Sequence, residues 1–376
     1  MGSGEPFAGT AIRARGRAGQ FFCRCPMSAL RPSPLRESEV AKNRSLITVS
    51  EVTGAWAIMP TPATPDASDW RAENTVDLDE TARVVEGLVA AGVDGILALG
   101  TLGECATLTW DEQLAFMKVL VDSAAGRIPV FVGTTSLNTR ETIRQTRIAS
   151  DIGAAGTMLG VPMWCAASIP TAVQFYRDVA EACPDMGICV YANVEAFKFE
   201  FPTAFWAQVA QISQVVSSKY NAMGNLLQDI AATRGQIKFL PIDAAYYGAA
   251  RMDPEFCDAF WTNNAVCGPA AVIRFRDVIA AAKASGDWRE AKQMAGEIGH
   301  ALATLFPNGS FKEFSTYNIG LEKARMNAAG WMNAGPVRPP YQIVPEAYLE
   351  GARESGRRAA ALHARYLSEG SAIAAE

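Results

Sequence analysis

Lys219 closes a short run, Val215-Val216-Ser217-Ser218, that carries no other charge. The chain has nine lysines, and most fall in segments with helical or loop patterns. Lys238 stands at the start of a later apolar run, the wrong end for a catalytic group in a parallel barrel. Lys198 is the one rival position. An amine held in an apolar mouth loses hydration, which lowers its pKa. Once neutral, it can add to a ketone and form a Schiff base. The same position also suits a lysine that only pairs with a rim carboxylate, and position alone leaves both readings open. Tyr191 ends another apolar run. A phenol beside an amine can relay protons, although a tyrosine there is more commonly a packed ring with a satisfied hydroxyl. Gly100-Thr101-Leu102-Gly103 offers backbone N–H groups that can hold a carboxylate or phosphate. Its glycines are equally ordinary turn geometry.

Histidine sets a boundary on the chemistry. There are two, His300 and His363, both late in the chain. A multi-histidine metal site is therefore excluded, and acid, base and nucleophile are expected among Lys, Tyr, Glu and Asp. His300 reads as structural, on an amphipathic helix. Eight cysteines show no CxxC pair; the closest two are Cys23 and Cys25. Cys105, Cys165, Cys189, Cys257 and Cys267 read as small buried hydrophobes. Glu104 reads either as a group that supports the site from behind or, the favoured reading, as an acid at a helix start, and Asn308-Gly309-Ser310 as a turn. No metal site is expected.

These residues need a scaffold that brings strand ends together. Strand-like runs are predicted at 54–59, 95–99, 130–133, 156–160, 187–192, 215–219, 237–242 and 265–267. Helical patterns separate them at 79–91, 111–125, 139–152, 169–182, 203–212 and 223–233, with a short link after the seventh strand and a helix at 270–284. In the first helix, Ala82, Val85 and Val89 are expected on one face. Eight strands alternating with helices predict an α/β fold, a (β/α)8 TIM barrel. Its nearly all-apolar strands suit parallel pairing buried on both faces. A doubly wound open sheet is the runner-up, but no GxGxxG opens the first βα unit. After about residue 286 the pattern is helical, at 288–306, 311–329 and 344–366, with a Pro-rich link at 336–341. The expected organisation is therefore a catalytic barrel at 47–285 and a C-terminal helical extension at 286–376.

The 376 residues are 49% hydrophobic and 19% charged with a net charge of −5, which fits a soluble globular chain and excludes a disordered one. That charge argues against nucleic acid or an anionic membrane as partner. No apolar run reaches transmembrane length, and the cysteine usage predicts a reducing cytoplasm. Residues 1–46 differ: Arg13, Arg15, Arg17 and Arg24 accompany one early acid, Glu5. Phe21-Phe22-Cys23 is too short for a signal-peptide core. This segment is expected to be disordered. It reads either as an organelle-targeting segment or, the favoured reading, as an extension upstream of a start at Met27 or later.

Taken together, Gly100-Thr101-Leu102-Gly103-Glu104, Tyr191 and Lys219 resemble the class I pyruvate aldolase superfamily that contains dihydrodipicolinate synthase and N-acetylneuraminate lyase. Its GTTGE motif, tyrosine and Schiff-base lysine would match these three places. The departures are informative. Asn193-Val194-Glu195-Ala196-Phe197 lacks the arginine of dihydrodipicolinate synthase, no tyrosine after the third strand matches, Leu102 replaces a threonine, and Trp164 ends the loop after the fourth strand. The pattern is similar to the hydratase-aldolase branch acting on trans-o-hydroxy- and trans-o-carboxybenzylidenepyruvate in aromatic-hydrocarbon breakdown. Gly54-Ala55-Trp56-Ala57-Ile58-Met59-Pro60-Thr61-Pro62, Gly103-Glu104-Cys105-Ala106-Thr107-Leu108-Thr109, Ala196-Phe197-Lys198-Phe199 and Tyr317-Asn318-Ile319-Gly320-Leu321-Glu322-Lys323-Ala324-Arg325 carry that likeness, over roughly residues 50–366.

The resemblance implies a lyase with Lys219 as nucleophile and Tyr191 as proton carrier. Thr101 and the backbone of Leu102 and Gly103 would bind the pyruvoyl carboxylate. Trp164, Asn193 and Phe197 are candidates for the aryl side, because stacking suits a planar ring. Lys198 and Arg251 are candidate cations for a ring carboxylate. No cofactor is implied, since the iminium is the electron sink. The implied partners are the arylidene pyruvate substrate and pyruvate, with a homo-oligomer, favoured as a tetramer. The alternatives are a related aldolase for a sugar acid or semialdehyde, and a non-catalytic binding barrel.

Overall fold

The computed structural model describes residues 45–373. All but the last two residues of the predicted N-terminal extension lie outside them. Eight parallel strands run in chain order: β1 (Gly54–Met59), β2 (Gly95–Ala98), β3 (Val130–Gly133), β4 (Gly156–Leu159), β5 (Gly187–Tyr191), β6 (Val215–Lys219), β7 (Lys238–Leu240) and β8 (Ala259–Thr262). From β1 to β7 each pairs with its sequence neighbours, and β1 pairs with β8. A parallel bridge between Ile242 and Trp261 spans the remaining gap between β7 and β8. The result is the (β/α)8 barrel that the alternation predicts. Every strand residue is buried, as parallel strands covered on both faces require.

Four of the strands, β1, β2, β4 and β5, begin with glycine, which lets them close tightly. A Cβ on Gly95 would sit 2.6 Å from the Trp56 ring, and one on Gly156 2.6 Å from Phe131. Trp56 and Phe131 meet edge to face with centroids 5.2 Å apart and fill the N-terminal end of the barrel. Lys238, at the same end, pairs with Asp258.

The outer helices are α1 (Leu78–Ala91), α2 (Trp110–Ala124), α3 (Thr139–Asp151), α4 (Ile169–Ala182), the single turn α5 (Val194–Phe197), α6 (Thr203–Val209), α7 (Leu226–Thr233), α8 (Asp243–Met252) and α9 (Ala270–Ser285). Their starts follow local chemistry. Asp77, Thr109, Asn138 and Ser168 cap α1 to α4 by accepting a backbone N–H from the first turn. Three helices then cover the barrel: α10 (Arg289–Leu302), α11 (Phe311–Ala329) and α12 (Glu346–Ile373). The last packs on α9, α10 and α11. Among the described residues no helix is long and apolar enough to cross a membrane.

Three expectations need correction. The eighth strand is Ala259–Thr262, whereas Ala265–Cys267 forms a 3-10 turn. The link after β7 is not short but holds the ten-residue α8, whose buried stripe is largely the small Ala249 and Ala250 and so shows little apolar contrast in sequence. In α1 the buried side chains are Thr81, Val84, Val85 and Leu88, so the buried face is rotated from the one expected.

Candidate active site

Lys219 is the last residue of β6, and hydrogen-bonded register sets it beside Tyr191, the last residue of β5. Two side chains from different parts of the chain are thus placed by backbone pairing alone. Lys219 is only 8% exposed. Its Nζ lies 3.5 Å from the centroid of the Trp261 ring and 4.8 Å from that of Tyr191. Burial pushes the Lys219 pKa down, against smaller upward pulls from Tyr191, Cys189 and Glu322. A desolvated amine of this kind is the species that adds to a carbonyl. The Cys189 thiol is pushed up to about 11 by burial, so it stays protonated beside the lysine.

The Tyr191 hydroxyl has two polar neighbours. It shares a 3.0 Å hydrogen bond with Thr101 Oγ1 and accepts one of 3.2 Å from Asn193 Nδ2. The Tyr191 ring packs edge to face on Phe197, with centroids 5.3 Å apart. Asn193 also caps α5 through the N–H of Ala196. Phe197 is therefore carried on a turn anchored next to the phenol.

The turn after β2 is bent to present its backbone. Leu99 and Glu104 both have a φ of 54°, in the left-handed region that side chains disfavour. Gly103 is required because a Cβ there would lie 2.7 Å from the Leu99 nitrogen and 2.8 Å from its Cα. Among the described residues none accepts a hydrogen bond from the N–H groups of Leu102 or Gly103. Such a pair suits a carboxylate.

Two adjoining cavities of 410 and 590 Å³ share Gly100, Thr101, Tyr191, Asn193 and Asn318 in their walls. The smaller holds Lys219, Leu102, Trp261, Asn263 and Glu322. The larger is lined by Phe197, Met163, Tyr317, Ile319 and Tyr341 among others. Among the described residues Lys219 is the only cation lining either lobe. Gly103 lies behind the turn, its carbonyl accepting from Thr61 Oγ1. Trp164 is 80% exposed and lines neither lobe; it borders a surface groove with Leu137. Lys198 and Arg251 also lie outside the lining, and Arg251 stacks on Trp288. Cys165 is exposed rather than buried. His300 is exposed on α10, and His363 Nδ1 accepts from the N–H of Ala270 at the start of α9.

The roof of the site comes from α11. Asn318 and Glu322, four residues apart, share the helix face above Lys219. Glu322 accepts a hydrogen bond from Asn263 Nδ2 and pairs with Arg325. Burial raises its pKa, with Arg325 pulling the other way. The Oδ1 atoms of Asn263 and Asn318 are buried without a partner, two acceptors facing a cavity. Buried acceptors of this kind point to a bound donor. Glu104 does not open a helix. It is fully buried and pairs with Lys323 at 2.6 Å and with Arg338. Sequence reading passed over Glu322, Lys323 and Arg325, whose charged side chains are all buried. Positions i, i+1 and i+3 span only about 160° of a helix, an arc that solvent-facing charges also occupy, so their spacing does not disclose the burial.

Fold and site together define a barrel lyase built around a buried strand-end lysine. The dihydrodipicolinate synthetase family model matches residues 58–354, and the chain belongs to that family. It is 65% identical over 333 residues to a trans-O-hydroxybenzylidenepyruvate hydratase-aldolase of Sphingobium xenophagum, covering 89% of this chain and 99% of the relative. It is 38% identical to a trans-2'-carboxybenzalpyruvate hydratase-aldolase of a Nocardioides strain, covering 86% of this chain and 97% of that one. A solved structure of PhdJ bound to a substrate intermediate superposes with a TM-score of 0.83 at 44% identity, covering 86% of this chain and 99% of that chain.

Proposed function

We propose that this protein is a class I hydratase-aldolase that converts a trans-o-substituted benzylidenepyruvate and water to an aromatic aldehyde and pyruvate. The observation that carries the proposal is the water-poor Lys219 amine between the Tyr191 and Trp261 rings, opposite free backbone N–H groups. Lys219 Nζ adds to the ketone carbon, and loss of water gives an iminium conjugated with the benzylic double bond. Water then adds at the benzylic carbon, and the electron pair moves toward the iminium nitrogen. Protonation at the carbon next to the iminium completes the hydration. Removal of the new hydroxyl proton breaks the bond between the benzylic carbon and that neighbour. The aldehyde leaves, and the pair remains as a pyruvate enamine. Protonation and hydrolysis release pyruvate and free Lys219.

Tyr191 carries protons between these centres, with Thr101 orienting its hydroxyl. Thr101 and the N–H groups of Leu102 and Gly103 hold the pyruvoyl carboxylate. Glu322 and the free acceptors of Asn263 and Asn318 suit the incoming water. Asn193 and Phe197 stand on the aryl side. No external cofactor enters this scheme. Trp164 is exposed on a surface groove beside Leu137, a residue that also lines the larger lobe, and takes no part in this scheme.

The ring substituent follows from charge. Among the described residues the cavity walls carry Glu195 and Glu322 and no cation besides the nucleophile. A ring carboxylate would enter without a partner, which is costly in a buried site. An o-hydroxyl would find acceptors. We expect kcat/KM for the o-hydroxy substrate to exceed that for the o-carboxy analogue by at least about 10²-fold. Equal rates in a pyruvate-release assay would remove that preference. Borohydride trapping with pyruvate, followed by peptide mapping, tests the mechanism itself. An adduct on Lys219 is expected; one on Lys198 would keep the chemistry and move the site, and none on folded protein would favour a binding barrel.

A homotetramer is part of the same reading. The exposed Leu137 and Trp164, beside the groove floored by Val161 and Phe175, supply an apolar contact surface. A monomeric mass by light scattering would overturn it.

A further inference from the structure

Three buried side chains beyond the cavity wall converge behind the carboxylate-binding turn. Glu104 is the residue after Gly103. Its carboxylate takes Lys323 Nζ from α11 at 2.6 Å, and also the guanidinium of Arg338 from the link between α11 and α12. The N–H of Arg338 donates to Glu104 Oε1 at 3.0 Å. Arg338 also reaches the far side of the turn. Its Nη1 donates to the carbonyl of Thr61 at 3.4 Å, and Thr61 Oγ1 holds the carbonyl of Gly103 at 2.8 Å. Its Nε donates to Thr75 Oγ1, and Thr75 is in turn fixed by Glu112 of α2. Lys323 is anchored a second time, donating to the carbonyl of Pro336 at 2.7 Å.

The turn needs such a clamp. With Leu99 and Glu104 both left-handed, its conformation is not one the chain favours unaided. The direction of the Leu102 and Gly103 N–H groups depends on what grips Gly103 and Glu104 from behind. Two cations on one carboxylate also leave a positive excess close to where a substrate carboxylate binds.

We propose that Lys323 and Arg338, which touch no substrate, are positioning residues that set the affinity for the pyruvoyl carboxylate by clamping Glu104. This rests on the Schiff-base reading above and extends it to residues outside the cavity. The charged groups around Lys323 are Glu104 and Arg338 across from it and Glu322 beside it on α11. Arg353 of α12 borders the same outer pocket and is itself paired with Glu346 and Glu350. Burial, with Arg338 close by, brings the Lys323 pKa down to about 8 despite Glu104. The clamp should therefore loosen as pH rises through that value.

The test measures the pyruvate concentration that gives half-maximal borohydride trapping on Lys219, at pH 7 and pH 9, in wild type, Lys323→Met and Lys323→Arg. At pH 7, Lys323→Met is expected to raise it about tenfold, and Lys323→Arg to restore it. Lys219 titrates alike in wild type and Lys323→Arg. The pH 9 to pH 7 ratio of half-saturation should therefore be smaller in the arginine variant, which keeps its charge. A folded Lys323→Met with wild-type half-saturation overturns the proposal. If Lys323→Met does not fold, the ratio in Lys323→Arg decides: a wild-type ratio overturns the clamp, a smaller one supports it. Absence of any adduct in the wild-type protein removes the Schiff-base reading itself and this inference with it.

Discussion

Lys219→Ala is expected to lower turnover by on the order of 10⁵–10⁶-fold, the scale of losing a covalent nucleophile. Every bond change in the proposed sequence passes through the iminium on this nitrogen, so no neighbouring group can substitute. Lys198 is exposed and lines neither lobe, and Lys323 is held by Glu104 and Pro336. The variant should still fold. A buried amine whose pKa is lowered binds fewer protons folded than unfolded. Folding stability from this residue is therefore lowest when both states are protonated and rises as pH climbs from the folded pKa toward the ordinary lysine value. Removing the amine relieves that penalty, so the melting temperature near neutral pH should not fall because of lost charge. The same sign governs catalysis. In the wild type, kcat/KM should rise with pH through a pKa below that of an ordinary lysine, as the amine becomes free to attack. Retained pyruvate release in purified Lys219→Ala would end the assignment.

Tyr191→Phe should slow turnover by about 10²–10⁴-fold, the usual share of a positioned acid–base group. The substitution keeps the ring that packs on Phe197 and faces Lys219. It removes only the oxygen shared with Thr101 and Asn193. Loss of activity therefore reports on proton transfer and not on packing. Borohydride trapping should still find Lys219, but more slowly, because forming and losing the carbinolamine also moves protons. An unchanged steady-state rate would take the role from Tyr191 and pass it to Glu322 or solvent.

The barrel and the placement of Lys219 and Tyr191 at adjacent strand ends were legible because both depend on short-range pattern. An apolar run that ends in one charge marks a strand end, and Val215-Val216-Ser217-Ser218-Lys219 shows it plainly. The roof was not legible, because Asn318 and Glu322 lie about a hundred residues from Lys219 and nothing local says which helix face looks down. Trp261 was missed for a different reason. The run Ala265-Val266-Cys267 looked more strand-like than Ala259-Phe260-Trp261-Thr262, so the strand that places the indole against Lys219 was displaced. Glu104 was misread because an acid near a turn is usually a surface charge. Here burial with two cations reverses that expectation. Trp164, an aromatic at a strand-end loop, turns outward, a direction that its place in the sequence does not set.

The smaller cavity has a floor made by strands and a roof made by the C-terminal extension, chiefly α11 with Leu302 of α10 and Phe306 beside it. That division separates inheritance from adaptation. In the proposed mechanism the floor holds the pyruvate half of the substrate, and hydrogen-bonded register, which tolerates little drift, sets its residues. Along the chain the roof reaches the barrel only through α10 and the links at 286–288 and 303–310, so its inward residues can change without disturbing a strand. Beside Asn318 and Glu322, which the proposed water addition needs, the same helix sends Ser315, Thr316 and Ile319 into the larger lobe. New aldehyde preferences can therefore arise by rewriting those few positions, while the bond-breaking step passes unaltered from one descendant to the next.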